Sequence, residues 1–430
     1  MAGYKVQTHP GEIRPLRIAL CVYRGNPHSG GQGVYTKYLS EELAKLGHKV
    51  EVFSGQPYPD LDLQLVDLER LASLDLYRAD NPFRIPKITE FRTLIDAAEF
   101  AIMSTGGFPE PRSFGWRLER ALGPRLNNFD LLHDNQSLSW SILKLASKGW
   151  PVIGSIHHPI TVDRDLAIKH ARSAKAKFGA YRWYGFVKMQ TEVARRLERV
   201  ITVSDTSRED LFKYMNVSLD RSRVVPIGVD TTIFKPIPAI GKEPGLMVTT
   251  ASADVPLKGL HILVDAMAEV KSVEPNAHLV IMGNPNKESN LVARASELGL
   301  DNHVKFAGVV SQDEMVWLYN RAELAVVPSL YEGFSLPAVE AMACGIPLVA
   351  TDGGALPEVT GSDGETVLLA RAGDTLDLAK KILQAFDSEL LRNEIGSNGL
   401  ERVMSKFTWA ATAKATEQNY IEFLASRSEL

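Results

Sequence analysis

One arrangement, used twice, constrains what this chain can fold into. An apolar run, Leu16-Arg17-Ile18-Ala19-Leu20-Cys21-Val22-Tyr23, stops in the glycine-rich segment Arg24-Gly25-Asn26-Pro27-His28-Ser29-Gly30-Gly31-Gln32-Gly33. A helical pattern follows (Val34, Tyr38, Leu39, Leu43, Leu46), then Gly47 and a second apolar run from Lys49 to Ser54. Strand, tight loop, helix and strand in this order make a parallel β-α-β unit of the doubly wound type. Further short apolar runs at Leu131–His133, Val152–Ile156 and Arg199–Val203 each end in polar residues, as the carboxyl edge of a parallel sheet requires.

The second half restarts the rhythm. Leu246–Ala251, Ala277–Gly283, His303–Gly308, Leu324–Pro328 and Leu348–Thr351 read as buried strands, with helical patterns between them at Gly259–Val270 and Gln312–Asn320. Pro226, Gly228, Pro236 and Pro238 punctuate the join. The expected architecture is α/β: two Rossmann-like domains, residues 1–230 and 231–408, with a last helix over 409–430 returning to the first. A chain of 430 residues supports this division.

Composition narrows the function classes. With 48 Lys plus Arg against 52 Asp plus Glu, the net charge of −4 speaks against bulk nucleic-acid binding. No apolar run approaches the ~18 residues of a membrane span, and Met1 to Pro15 lacks the apolar middle of a signal peptide, so a cytoplasmic protein is expected. Cys21 and Cys344 sit in apolar contexts and read as buried thiols. Gly30, Gly31 and Gly33 do not fit Gly-x-Gly-x-x-Gly, and no ribose-binding acid follows at nicotinamide spacing, which disfavours a dehydrogenase.

The segment Ser329-Leu330-Tyr331-Glu332-Gly333-Phe334-Ser335-Leu336-Pro337-Ala338-Val339-Glu340-Ala341-Met342-Ala343-Cys344-Gly345 carries the most chemistry. Pro337 suits a first helical turn and Gly345 a stop, so Glu332 lies before the helix and Glu340 about one turn into it. Backbone N–H groups at such a helix start favour an anion. Two acids bracketing a phosphate site suit a sugar-nucleotide, one taking hydroxyls from the sugar and the other from the ribose.

Glu-x7-Glu in a Gly-Phe-Ser-x-Pro setting resembles the signature of retaining GT-B glycosyltransferases, the large family four or "group 1" family with glycogen synthase-like and mannosyltransferase members. The resemblance extends to the Gly30-Gly31 loop, Pro226-Ile227-Gly228-Val229-Asp230 with Phe234, Val304 to Val310, and Pro328 through Glu358. It implies a metal-independent retaining transferase that takes a UDP- or GDP-sugar on the C-terminal domain and a sugar, lipid-linked or small-molecule acceptor on the N-terminal domain, with no cofactor.

Residue by residue, the resemblance makes Glu332 the acid that holds the donor sugar and Glu340 the ribose acid. Gly333, Phe334, Ser335 and Leu336 present backbone N–H groups, and Gly283 and Val309 join the donor site. Lys258, in Pro256-Leu257-Lys258-Gly259, neutralises the leaving diphosphate. His157, of the pair His157-His158 after a strand, faces the donor sugar, while His133 reads as a satisfied edge histidine. The family usually has an Arg where Ala253 stands here. Arg24, beside the Gly30-Gly31 loop, is the candidate replacement.

Two features stand apart. Asp163-Arg164-Asp165 looks like a metal-binding pair, but it falls in a polar loop between a strand and a helix and the resembled family uses no metal, so surface charge is the better reading. Residues 169–196 carry eight Lys or Arg and one acid, interleaved with Phe178, Tyr181, Trp183, Tyr184 and Phe186. That stretch reads as an acceptor or peripheral membrane patch at the inner membrane face, or as a helix whose aromatics pack inward while basic stems snorkel. An epimerase, a sugar phosphorylase and a non-catalytic sugar-nucleotide-binding protein stay open as alternatives.

Overall fold

The computed structural model describes residues 14–27, 31–78, 80–250, 256–283 and 290–428. Gly30 and Ala253 lie outside the described residues. The chain forms two compact units: one takes in the chain up to Val203, Ser207–Val225 and the chain from Thr412 on, and the other Ser204–Thr206 and Pro226–Ala411.

The first unit is built on strands β1 (Arg17–Val22), β2 (Lys49–Ser54), β3 (Asp67–Arg70), β6 (Leu131–Asn135), β7 (Val152–Ser155), β8 (Arg199–Thr202) and β9 (Ser222–Val224), with a small antiparallel pair β4 (Tyr77–Arg78) and β5 (Asn81–Pro82) inserted. The seven-stranded sheet runs β3-β2-β1-β6-β7-β8-β9, every pairing parallel. β1 is central, with Ile18 opposite Val50 on one side and Leu131 on the other. Its continuous apolar run is what a strand covered on both faces demands.

The second unit carries β10 (Glu243–Thr250), β11 (His278–Met282), β12 (Val304–Gly308), β13 (Ala322–Val327), β14 (Leu348–Thr351) and β15 (Leu368–Ala370) in the order β12-β11-β10-β13-β14-β15, again all parallel. Met247 at its centre faces Leu279 and Leu324. Both sheets reverse direction beside their first strand, at β1/β6 and β10/β13. In doubly wound folds the crevice beyond the carboxyl ends at that reversal is where ligands bind.

The last helix, Trp409–Ser428, joins the first unit from Thr412 on. Tyr420 is fully buried there, its hydroxyl 2.6 Å from His133 Nδ1, and Glu417 Oε1 meets His48 Nε2 at 2.9 Å. Cys21 and Cys344 are free and buried. Asp163 and Asp165 lie within the helix Ile160–His170 rather than in the expected loop. No helix among the described residues is long and apolar enough to cross a membrane.

Candidate active site

In the second unit the loops after β10, β13 and β14 are stitched together by backbone. Gly259 has φ +65°, and a Cβ there would sit 1.9 Å from the Pro328 carbonyl oxygen, so only glycine lets the two loops close. Leu330 N–H donates to Leu257 O at 2.8 Å beside it. This closure brings Lys258 Nζ within 2.8 Å of Glu332 Oε1, and Ser329 Oγ donates to the same oxygen at 2.7 Å. Ala355 N–H, from the loop after β14, donates to the Glu332 carbonyl at 2.8 Å. Glu332 is only 9% exposed, so its carboxylate is held in place by a cation, a hydroxyl and its own anchored backbone.

The chain then turns sharply into the helix Leu336–Ala343. Ser335 adopts φ +86°, a left-handed conformation that a non-glycine residue keeps only when its surroundings enforce it. Its hydroxyl is buried with no partner among the described residues. Among the described residues no side chain caps this helix, Pro337 occupies its first turn, and Phe334 is pinned edge-on against Phe407 at 5.7 Å. The result is a rigid helix start with uncapped amides, a site for anionic oxygen. Glu340 follows on the same helix. Burial raises its carboxyl to about 7, with no cation among the described residues compensating it. Gly283 and Gly308 bridge at the ends of β11 and β12, Gly283 N–H donating to Gly308 O at 2.8 Å, and the adjoining Val309 side chain is 81% exposed.

The first unit places His157 just beyond β7. Its Nε2 is 2.9 Å from Asn135 Oδ1, at the end of β6. Asn135 Nδ2 donates to Gln32 O and Thr36 Oγ1, which fixes the amide orientation and makes Oδ1 the acceptor. The imidazole proton therefore sits on Nε2, and Nδ1 is a bare lone pair, buried without a partner among the described residues. Burial lowers the ring pKa to about 4, so it is neutral at physiological pH. Gln136 Oε1 accepts from His157 N–H at 3.0 Å, and Tyr35 meets the ring edge-on at 4.5 Å. The ring is oriented from three sides.

His133 has both nitrogens satisfied, by Tyr420 and by Ser155 Oγ at 2.6 Å. Gly31 opens the helix Gln32–Lys45 with φ +71°. The loop's tighter requirement falls on Gly33, where a Cβ would lie 2.1 Å from Asn26 O. Arg24, the expected phosphate cation, is engaged by an acid in this structure. Its Nη1 meets both Glu110 oxygens at 2.9 and 3.1 Å and its Nη2 donates to Tyr77 O at 2.8 Å, a pairing that answers the burial of Glu110. Asp163 pairs with His158 at 3.2 Å and Asp165 with Arg164, and among the described residues no group of three or more His, Cys, Asp or Glu could hold a metal.

Asn135, Gln136 and Ser329 were not singled out by sequence reasoning. Their signal was present: Asn135 and Gln136 are polar residues at the carboxyl end of a strand buried throughout. The basic aromatic stretch divides. Trp183 packs against Tyr77, Phe83 and Phe108, and Phe186 against Phe108, whereas Phe178 and Tyr181 are 66% and 68% exposed.

Comparison with known proteins agrees with the topology. Residues 233–402 match the family "Glycosyl transferases group 1", and residues 29–233 match "Glycosyltransferase Family 4". An MMP alpha-(1->4)-mannosyltransferase of Mycolicibacterium hassiacum is 43% identical over 95% of this chain and 99% of its own length. A D-inositol 3-phosphate glycosyltransferase of Acidothermus cellulolyticus is 29% identical over 96% and 92%. Among solved structures, sucrose-phosphate synthase from Thermosynechococcus elongatus aligns over 96% of this chain and 100% of its own, with a TM-score of 0.69 at 24% identity. The glycosyltransferase WaaG aligns over 93% and 98%, with a TM-score of 0.63 at 16% identity. Two doubly wound sheets, a helix returning to the first unit and a match that runs the length of the chain lead to one assignment: this chain belongs to the GT-B glycosyltransferases of group 1.

Proposed function

We propose that this glycosyltransferase is a retaining, metal-independent mannosyltransferase that moves a mannosyl group from a nucleoside-diphosphate donor of the GDP- or UDP-sugar class to a hydroxyl of a saccharide acceptor, forming an α-(1→4) bond. The mannosyl group and linkage are taken from the 43% identical relative. The observation that carries the reading is the Lys258–Glu332 pair, 2.8 Å apart, next to an uncapped helix start that leads to the buried Glu340.

In this reading the diphosphate displaces Lys258 from Glu332 and takes both the ammonium and the amides from Gly333 onward. Glu332, released from its cation, accepts hydroxyls of the donor sugar. Glu340, as a carboxylate, accepts both ribose hydroxyls. His157 offers its Nδ1 lone pair to a sugar hydroxyl. The anomeric carbon–phosphate oxygen bond breaks, the acceptor oxygen bonds to the same face, and its proton passes to the leaving phosphate. Charge developing on that phosphate is held by Lys258 and the helix amides, where preorganised donors stabilise a transition state most.

The test is direct. The protein is incubated in EDTA with GDP-mannose or UDP-sugars and an α-mannoside acceptor, and the product is read by one-bond C1–H1 coupling. An α-linked product with stoichiometric nucleoside diphosphate is expected. A β-linked product, turnover that requires inorganic phosphate, or sugar-nucleotide conversion without acceptor would each overturn the reading.

A further inference from the structure

A cavity of about 710 Å3 lies in the first unit, beyond β2 and β3 and against the helices Leu94–Ser104 and Glu110–Leu122. Four arginines line it: Arg70, Arg92, Arg117 and Arg120. Arg117 is satisfied, its Nη2 lying 2.6 Å from both Asp96 Oδ1 and Glu99 Oε2. The cavity's other acid, Glu90, is held by Arg84 at 2.6 and 2.7 Å. Arg70, Arg92 and Arg120 are exposed; Arg70 lies over the Tyr58 ring at 5.5 Å, and none of the three has an acidic partner among the described residues. Elsewhere in this unit Arg17, Arg24, Arg84 and Arg125 each meet a carboxylate. Three arginines lacking one converge on a single cavity whose acids are already neutralised.

We propose that this cavity is a second ligand site, for a phosphate-bearing small molecule such as a hexose phosphate. Uncompensated guanidinium groups gathered around one concavity repel each other and focus positive potential into it. An outside polyanion removes that repulsion, and planar guanidinium forks match phosphate oxygens two at a time. The volume far exceeds a bare phosphate and falls in the range of small-molecule sites, which leaves room for a sugar. Thr89 also lines the cavity and brings a hydroxyl group to it. The site is separate from His157. Gln56 and Ser73 follow β2 and β3, whereas His157 follows β7, so at strand spacing roughly 14–19 Å of sheet lie between them.

The test uses calorimetric titration of the full chain with mannose 6-phosphate, inorganic pyrophosphate and neutral mannose. Two variants are compared with wild type: the triple Arg70→Gln/Arg92→Gln/Arg120→Gln, and Lys258→Gln at the donor site. Arg117 stays in place because it ties Asp96 and Glu99 together. The expected result is binding of mannose 6-phosphate but not of mannose, weakened roughly tenfold or more in the triple variant and unchanged in Lys258→Gln, the variant that removes the donor site's own hold on pyrophosphate. In Lys258→Gln, tighter binding of the hexose phosphate than of pyrophosphate identifies a sugar ester, and the reverse a free diphosphate; both support the site when the loss follows the three arginines. The single charge reversal Arg120→Glu serves if the triple variant does not fold, with the same loss expected. Loss only in Lys258→Gln, equal binding of mannose, or no binding at millimolar concentration overturns the proposal.

Discussion

The two sheets share a strand order yet carry different chemistry at the candidate groups along their carboxyl edges. At β10/β13 the groups are ionic: an ammonium against a carboxylate, an uncapped helix start, and a carboxyl raised to about 7 by burial. Around His157, beyond β7, they are neutral: an imidazole held near pKa 4, an amide fixed by two bonds, and a tyrosine edge. Strand order sets where a ligand binds in this fold, and the loops alone decide whether the edge handles charge or hydroxyl groups.

If that contrast is real, substitutions in the ionic edge should cost more than those in the neutral one. Glu332→Gln and Lys258→Ala should each lower kcat by about 10²–10³-fold, the loss typical of one preorganised charge at a transition state. Steady-state kinetics with the nucleotide sugar measure it, and a fall below tenfold for both would end the contrast. His157→Ala removes a neutral hydrogen bond, so a loss of about 5- to 30-fold in kcat/KM is expected. A larger loss than at Lys258 would invert the two edges.

Glu340 sharpens the comparison through pH. Only its carboxylate accepts two ribose hydroxyls, so affinity for a nucleotide sugar should rise from pH 6 to pH 8 as the group ionises through about 7. In Glu340→Gln this rise should vanish, with binding about tenfold weaker at pH 8. The free protein has the opposite sign. A folded-state pKa above the unfolded value means that this group's contribution to stability is lost as pH rises toward 7, so Glu340→Gln should melt higher than wild type at pH 8. Equal pH profiles for ligand binding in the two proteins would remove Glu340 from the ribose. The smallest effect is expected from EDTA: less than about a twofold change in turnover, because charge at the ionic edge is met by Lys258 and backbone amides. Activity lost in EDTA and restored by manganese would show that the ionic edge needs a metal.

What could be read from the sequence follows from the range of the interactions. Interior strands such as β1 and β14 carry apolar runs, Ile18–Val22 and Leu348–Ala350, because both faces are covered, and they stand out unaided. β3, Asp67-Leu68-Glu69-Arg70, is an exposed edge strand with no apolar period and left no trace. Glu332 and Glu340 belong to one local motif and were visible together. The ion pair of Arg24 could not be read from the sequence, because its partner Glu110 is 86 positions away and nothing near Arg24 announces a buried acid. Arg70, Arg92 and Arg120 look like scattered surface charges until the fold brings them around one cavity.

The returning helix sets a schedule for biosynthesis. The first unit's strands are all made by Val225, yet the residues that complete its interior begin at Thr412, roughly 190 positions later. At ribosomal rates of about 5–20 residues per second, that interval lasts on the order of 10–40 s. Throughout it His133 lacks the hydroxyl of Tyr420 and His48 lacks Glu417, so the nascent unit presents an open seam beside its sheet. The N-terminal half is therefore the last to be finished. A ribosome stalled before the final helix should hold a first unit that proteases cut readily, beside a second unit that already resists them.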